Sequence, residues 1–135
     1  MKSLIVEDNE SMRALYRLFF QSIGFDADEA PDGRIAFQMI KKNDYDLIIS
    51  DMDMPVLNGM ELYRLIDSYS PRLISRFMFS TGNVFNEEYQ EFFKTVPCPV
   101  LAKPFLLSEL RAAIDRMLSF CHEENTGKAP EAEAA

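Results

Sequence analysis

The fold is indicated most clearly by the segment Leu47-Ile48-Ile49-Ser50-Asp51-Met52-Asp53-Met54-Pro55, in which an aliphatic run is followed by an acidic end. A short aliphatic run bounded by polar residues predicts a strand that is buried on both faces. Asn58-Gly59 then predicts a turn, and apolar residues at helical spacing between 60 and 66 predict a helix. This part of the chain is therefore predicted to form a strand, a polar loop and a helix.

The same unit recurs along the chain. Four further strands are predicted at Leu4-Ile5-Val6, 25–30, Phe77-Met78-Phe79 and 99–102. Helical spacing follows each of them, at 12–23, 35–40, 86–94 and 107–118. Short strands that alternate with amphipathic helices predict an α/β fold, a parallel doubly wound sheet with helices on both faces.

Two of these helices carry finer predictions. Ser108 is the expected N-cap of the last helix. In the helix at 86–94, the aromatic residues Tyr89, Phe92 and Phe93 are expected to be mostly core.

The length of 135 residues suits one domain, predicted at 1–121. The acidic remainder, 122–135, is rich in Ala and Glu and lacks apolar periodicity, so it is expected to be a disordered tail. No run of 18 apolar residues and no signal peptide is visible, which predicts a cytoplasmic protein without membrane insertion. Cys98 and Cys121 lie outside any CxxC pattern, which disfavours a metal knuckle or a redox pair.

The net charge of −8, without a Lys/Arg stripe, disfavours direct nucleic-acid binding. The polar residues that end the predicted strands indicate a different chemistry. They are Glu7, Asp8, Asp51, Thr81 and Lys103. Ligands of an open parallel sheet bind at the carboxyl ends of its strands, so these side chains are expected to meet.

The residue types at these strand ends suit phosphoryl transfer. Clustered carboxylates favour a hard cation such as Mg²⁺, and a carboxylate can act as a nucleophile that forms an acyl phosphate. Lys103 and the Thr81 hydroxyl can stabilise the charged phosphoryl oxygens. The expected acceptor is Asp51.

These motifs resemble those of the receiver domain of two-component response regulators. The matching residues are Glu7-Asp8-Asn9, Asp51, Met54-Pro55, Asn58-Gly59, Thr81-Gly82 and Lys103-Pro104-Phe105. The resemblance covers residues 2 to 120. It is to chemotaxis-regulator-like receivers, and the segment 96–105 resembles receivers appended to hybrid histidine kinases. The family implies a flavodoxin-like fold with strand order 2-1-3-4-5.

The resemblance also implies a role for each acidic residue. Asp51 is the phosphoacceptor, which becomes 4-aspartylphosphate. Asp8 and Asp51 bind Mg²⁺ (or Mn²⁺) directly, Glu7 binds it through water, and Asp53 offers its backbone carbonyl. No other cofactor is implied.

Further residues have implied roles around the phosphoryl group. Lys103 pairs with it, and the bond to Pro104 is expected to be cis. Thr81 is the switch residue that moves toward it. Val100 stands where the family often has a switching Tyr or Phe, which makes aromatic gating at that position doubtful.

The implied function is a phosphorylation-dependent signalling switch of a phosphorelay. Its partners would be a histidine kinase or a histidine phosphotransfer protein and a downstream protein target, with a phosphorylation-dependent dimer left open. Such a receiver is not an enzyme with a separate substrate, although it catalyses its own phosphoryl transfer and dephosphorylation. Tyr16, Phe19 and Phe20 are expected to offer a docking surface for the donor kinase.

Three alternatives remain open from the sequence. A pseudo-receiver would keep the fold but not accept phosphate. The second alternative is a receiver fragment of a hybrid histidine kinase. A phosphatase of the haloacid dehalogenase type is suggested by Asp51-Met52-Asp53, but that family has the motif on its first strand.

Overall fold

Strands and helices alternate along the chain as the sequence predicts. The computed structural model of the protein describes residues 1–129, with side-chain surroundings as far as residue 119. The elements are β1 (Lys2–Val6), α1 (Glu10–Ser22), β2 (Asp26–Ala30), α2 (Gly33–Lys42), β3 (Leu47–Asp51), α3 (Gly59–Tyr69), a 3₁₀ helix (Pro71–Arg76), β4 (Phe77–Thr81), α4 (Glu87–Phe93), β5 (Val100–Ala102) and α5 (Leu107–Ala129).

The five strands form one parallel sheet in the order β2-β1-β3-β4-β5. The predicted order is therefore confirmed. Ile49 of β3 pairs with Ile5 of β1 on one side and with Met78 of β4 on the other. The strand order reverses between β1 and β3, and ligands bind at such a reversal in this type of fold.

Both faces of the central strands are buried. On one face, alternate strand residues pack with apolar residues of α2, α3 and α4; this cluster includes Leu4, Val6, Ile48, Phe77, Phe79, Ala36, Ile40, Leu62, Ile66, Tyr89 and Phe92. The intervening residues Ile5, Ile49 and Met78 point to the other face and are also buried. The helix α1 contacts β1 and β2 and buries Tyr16 and Phe20 outside that cluster.

Four helices begin at a polar side chain that the local sequence supplies. Asn9, Asp32, Asn58 and Asn86 each accept a hydrogen bond from the backbone N–H three residues further on. At α3 the Glu61 side chain returns the bond to the Asn58 backbone, which completes a capping box. These caps fix where each helix starts after its strand.

The chain divides into two compact units, Met1–Pro104 and the residues from Phe105 onward. The second unit consists chiefly of α5, whose buried residues Leu110, Ala113, Ile114 and Met117 share one helical face. The expected Ser108 cap is wrong, because Glu109 accepts the Leu106 N–H at 2.8 Å and α5 begins at Leu107.

The helix α5 also extends beyond the predicted end of the domain at residue 121. Its backbone is helical to Ala129, over a segment that contains good helix formers such as Glu123, Glu124 and Lys128. Residues 130–135 lie outside the described residues, and a separate tail at 122–135 stays a prediction. Within residues 1–129, no helix is long and apolar enough to cross a membrane.

Gly59 allows α3 to start directly against the end of β3. A Cβ atom at this position would lie 2.6 Å from the Asp51 carbonyl oxygen and 3.0 Å from the Met52 Cα. Both are backbone atoms, so they cannot rotate away. The Gly59 N–H also donates to the Met52 carbonyl at 3.2 Å. This close approach holds the loop that carries Asp51 and Asp53.

Gly59→Ala is expected to destabilise the protein by about 2 kcal/mol, because the added methyl group forces the backbone apart. Urea unfolding measures the change. Gly82→Ala is the control, since a Cβ there meets no atom within 4 Å. A Gly59→Ala variant as stable as Gly82→Ala would show that the approach is not a constraint.

Candidate phosphoryl-transfer site

Three carboxylates meet at the carboxyl edge of the sheet. Glu7, Asp8 and Asp51 each place an oxygen within 4.8 Å of the others. Glu7 is 1% exposed and Asp51 is 4% exposed, whereas Asp8 is open to solvent. These three residues at the ends of β1 and β3 therefore lie close together, as expected, and two of the three acids are shielded from water.

The backbone and the carboxylate of Glu7 both make hydrogen bonds. Its N–H donates to the Ala30 carbonyl at 3.1 Å, and its own carbonyl accepts from Arg13 Nη1 at 2.7 Å. Its carboxylate accepts the Asn9 N–H at 3.1 Å and the Lys103 ammonium at 3.0 Å. A buried carboxylate with this many donors has a fixed position.

Lys103 approaches the same cluster from the end of β5. Its Nζ lies 3.0 Å from Glu7 Oε1 and 3.4 Å from Asp51 Oδ1. Its backbone N–H donates to the Thr81 carbonyl at 2.7 Å, and the Lys103–Pro104 peptide bond is cis. Burial lowers the pKa of Lys103, but the hydrogen bond to Glu7 and the charge of Asp51 outweigh it, so the pKa is raised and the ammonium stays charged.

The surroundings of the Asp51 carboxyl disfavour its charged form. Burial, followed by repulsion from Glu7, raises its pKa from 3.8 to about 6, although Lys103 and the Asp53 N–H oppose the shift. Its buried Oδ1 makes no hydrogen bond within the described residues, and its contact with Lys103 is an ion pair. One ammonium facing three carboxylates leaves a formal charge of −2.

A divalent, oxygen-binding cation fits this arrangement by charge and by donor type. The donors are all carboxylate oxygens, which Mg²⁺ prefers, and one of them is exposed where waters can complete a coordination shell. The buried, unbonded Asp51 Oδ1 is then a ready ligand atom or nucleophile.

A second set of hydrogen bonds surrounds the Asp53 side chain. Tyr89 donates its hydroxyl to Oδ1 at 2.7 Å, and Asn83 Nδ2 donates to the same atom at 3.3 Å. The buried Thr81 hydroxyl donates to Oδ2 at 3.4 Å and accepts the Asn83 N–H at 2.9 Å. The Asp53 carboxylate therefore points to β4 and α4.

The sequence pattern places Tyr89 in the core and gives no sign of this contact. Tyr89 is indeed buried, and only its hydroxyl reaches a polar partner. A tyrosine three residues after the helix cap Asn86, where a phenylalanine would serve for packing alone, is the one available signal.

Two expectations for other residues differ from the structure or stay open. Tyr16 and Phe20 are buried, so the docking surface expected on α1 is wrong in these two residues. They occupy the sheet-facing side of the helix, where aromatic area is most stabilising.

Val100 is 37% exposed and pairs with Phe79 through its backbone. Its role as a switch stays a prediction.

The domain is a doubly wound α/β fold with an acidic cluster at the carboxyl ends of β1 and β3, where the strand order reverses. The sequence model of the response regulator receiver domain matches residues 3–115. The chain belongs to this family and is a receiver domain of two-component signalling. Its cluster of Glu7, Asp8 and Asp51 fits a phosphorylation site with Mg²⁺. The haloacid dehalogenase alternative is thereby excluded.

Relatives include both transcriptional and chemotaxis regulators. The chain is 30% identical to the transcriptional regulatory protein RprY of Bacteroides fragilis, over 87% of this chain but only 49% of RprY. It is 29% identical to the chemotaxis protein CheY-3 of Vibrio cholerae, over 87% of this chain and 91% of CheY-3. The chain thus spans about half of one relative and nearly all of the other.

Among solved structures, the chain is similar to the receiver domain of the sensor histidine kinase PA1611 from Pseudomonas aeruginosa. The TM-score is 0.79 and the identity 25%, over 87% of this chain and 97% of that one. That structure has a magnesium ion coordinated in its active-site cleft. Receivers of hybrid kinases are therefore among the similar proteins.

The raised pKa of Asp51 predicts that this residue destabilises the fold at neutral pH. Below pH 3.8 the acid is protonated in both the folded and the unfolded state and does not affect the free energy of unfolding. Between pH 3.8 and about 6 the unfolded state loses the proton while the folded state keeps it, so the destabilisation grows with pH and is complete above about pH 6. Asp51→Asn is therefore expected to raise the free energy of unfolding without metal by roughly 3 kcal/mol at about pH 7 and by far less near pH 4.

Urea unfolding at both pH values measures this difference. Asp67→Asn is the control, because Asp67 is an exposed acid on α3 outside the cluster. Equal stability of Asp51→Asn and wild type at neutral pH would contradict the electrostatic account of the site.

Proposed function

We propose that Asp51 is the phosphoacceptor of this receiver domain. The observation that carries the proposal is the buried Asp51 carboxylate, with an unbonded oxygen, beside a lysine ammonium and within a cluster of two further acids. Asp51 receives a phosphoryl group from a histidine kinase or a histidine phosphotransfer protein and becomes 4-aspartylphosphate. The domain then acts as a signalling switch.

The residues that would hold Mg²⁺, or Mn²⁺ in its place, are the same acids. Asp8 and Asp51 offer carboxylate oxygens, Asp53 offers its backbone carbonyl, and Glu7 acts through water. A bound divalent cation neutralises negative charge on phosphoryl oxygens as they approach. Glu7 is suited to the outer position, because Asn9 and Lys103 already bond its oxygens.

The transfer step uses the Asp51 carboxylate as nucleophile. One of its oxygens attacks the phosphorus of a phosphohistidine, the bond from phosphorus to the imidazole nitrogen breaks, and that nitrogen keeps the electron pair. Lys103 supplies positive charge to a phosphoryl oxygen, since its Nζ is already 3.4 Å from Asp51 Oδ1. In dephosphorylation a water oxygen attacks the phosphorus, and the bond from phosphorus to the Asp51 oxygen breaks with that oxygen keeping the electron pair. Inorganic phosphate leaves with the protons of the water, and the Asp51 carboxylate is restored.

We assign Thr81 as the residue that responds to phosphorylation of Asp51. Its hydroxyl lies at the end of β4, next to β3, where Ser80 pairs with Asp51. The hydroxyl donates to Asp53 over a long distance, 3.4 Å, so this hydrogen bond is weak. A phosphoryl oxygen on Asp51 can replace Asp53 as the acceptor.

The partners of the switch follow from its class. Receiver domains work with histidine kinases and phosphotransfer proteins, and we propose the same donors here. A downstream protein target and a phosphorylation-dependent dimer remain proposals, as do a cytoplasmic location and the chain's place as a stand-alone protein or as part of a hybrid histidine kinase. The domain acts on its own aspartate and needs no separate substrate.

Incubation with acetyl phosphate and Mg²⁺ tests the central proposal. The protein is expected to gain the mass of one phosphoryl group, as an acid-stable, base-labile adduct that Asp51→Asn abolishes and Asp67→Asn does not. Labelling that persists in Asp51→Asn would overturn the assignment. If wild type takes no label, the protein is the pseudo-receiver considered above.

Lys103→Ala is expected to slow this labelling by about 100-fold, because it removes the only cation within 4 Å of Asp51 among the described residues. The rate of adduct formation by mass spectrometry is the measurement. Lys94→Ala is the matched control, since Lys94 is exposed directly after α4 and pairs with Glu91. Similar rates for the two variants would show that Lys103 has no part in the transfer.

A further inference from the structure

The Asp53 carboxylate joins three parts of the molecule. It follows β3 by two residues, accepts from Thr81 at the end of β4, and accepts from Tyr89 in α4. The Tyr89 bond, at 2.7 Å, is the shortest of the three that reach Asp53, and a bond to a carboxylate is stronger than one between neutral groups. Asp53 is therefore a bridge between the site and a helix.

Tyr89 is well placed to carry movement from that bridge into α4. Its side chain is 8% exposed, and its ring lies 6.4 Å from that of Phe93 in the same helix. Phe92 and Phe93 in turn contact the Phe79 ring of β4 at 5.5 and 5.7 Å. A displacement of the Tyr89 ring therefore shifts closely packed neighbours and the helix that carries them.

A hydroxyl group has one hydrogen to donate, and this limits what Thr81 can do. In the structure that hydrogen goes to Asp53 Oδ2. If Thr81 donates instead to a phosphoryl oxygen on Asp51, Asp53 loses this bond and keeps Asn83 and Tyr89. Asn83 is affected as well, because its N–H donates to the same Thr81 oxygen. The two arrangements of Thr81 exclude each other.

We propose that Tyr89 is the positioning residue through which the state of Asp51 reaches α4, by way of Thr81 and Asp53. The inference rests on the proposed function, since it needs a phosphoryl group on Asp51 to draw Thr81 away. It gives the domain a path that does not use Val100, whose side chain is apolar and partly exposed on β5. The aromatic group that responds to the site then lies in α4.

The experiment compares amide hydrogen exchange in wild type, Tyr89→Phe and Tyr63→Phe. Each variant loses one hydroxyl from the same aromatic cluster and keeps the ring. Tyr63 is as buried as Tyr89, and its ring meets that of Phe92 edge to face with the centroids 5.3 Å apart. Its hydroxyl is not among the three donors to Asp53. Exchange is recorded with and without Mg²⁺ and beryllium fluoride, a phosphoryl mimic, and ¹⁹F NMR reports independently whether the mimic is bound.

Without the mimic, Tyr89→Phe is expected to speed exchange of the Asn83 amide by about tenfold, the factor that loss of one charge-assisted hydrogen bond gives. Tyr63→Phe should leave that rate close to wild type. Equal Asn83 exchange in the two variants would overturn the proposed hydrogen-bond path, whatever happens on phosphorylation.

With the mimic bound, exchange in α4 is expected to change in wild type and in Tyr63→Phe, and to respond at least several-fold less in Tyr89→Phe. A full response in Tyr89→Phe, or its loss in both variants, would overturn the role of Tyr89. Failure of wild type to bind the mimic would count against the proposed function instead, and the ¹⁹F signal separates these outcomes.

Discussion

The structure depends on a concentration of like charge at one edge of a parallel sheet. Glu7 and Asp51 are buried side by side, and Lys103 is the one cation that reaches both among the described residues. Burial of two carboxylates is costly unless they are paired, and a single ammonium compensates only in part. An acid held in such an environment gains more from binding a cation or a phosphoryl group than a solvated acid does, which suits the function that we propose for Asp51.

The surrounding backbone keeps these charges in place. The close approach of Gly59 to the Asp51 carbonyl fixes the loop after β3 against the start of α3. The hydrogen bond from the Lys103 N–H to the Thr81 carbonyl fixes the end of β5 against β4. Neither contact involves the side chains that we propose to take part in phosphoryl transfer, so a change of partner by those side chains leaves both backbone contacts in place.

The switch that we propose centres on Asp53, whose carboxylate accepts three side-chain hydrogen bonds, the longest of them from Thr81. Its long bond from Thr81 can be exchanged for a stronger one, whereas the shorter bond from Tyr89 ties it to α4. A two-state element of this kind gives a local charge change a route to a distant surface. The proposed route through Tyr89 does not require an aromatic residue at Val100.

The strands and the residues that end them are predictable from the sequence alone, and the strand order follows from the family resemblance. Asp8, Asp51, Thr81 and Lys103 were predictable because apolar runs mark strands, and the polar residues after them must lie at one edge. The direction in which each side chain points depends on the packing of the strands and helices. This packing turned Tyr16 and Phe20 inward, brought Tyr89 to Asp53 across 36 residues of sequence, and buried Asp51 beside Glu7. Periodicity reports which face of a helix is apolar, but a hydrogen bond between distant residues depends on how the strands and helices pack.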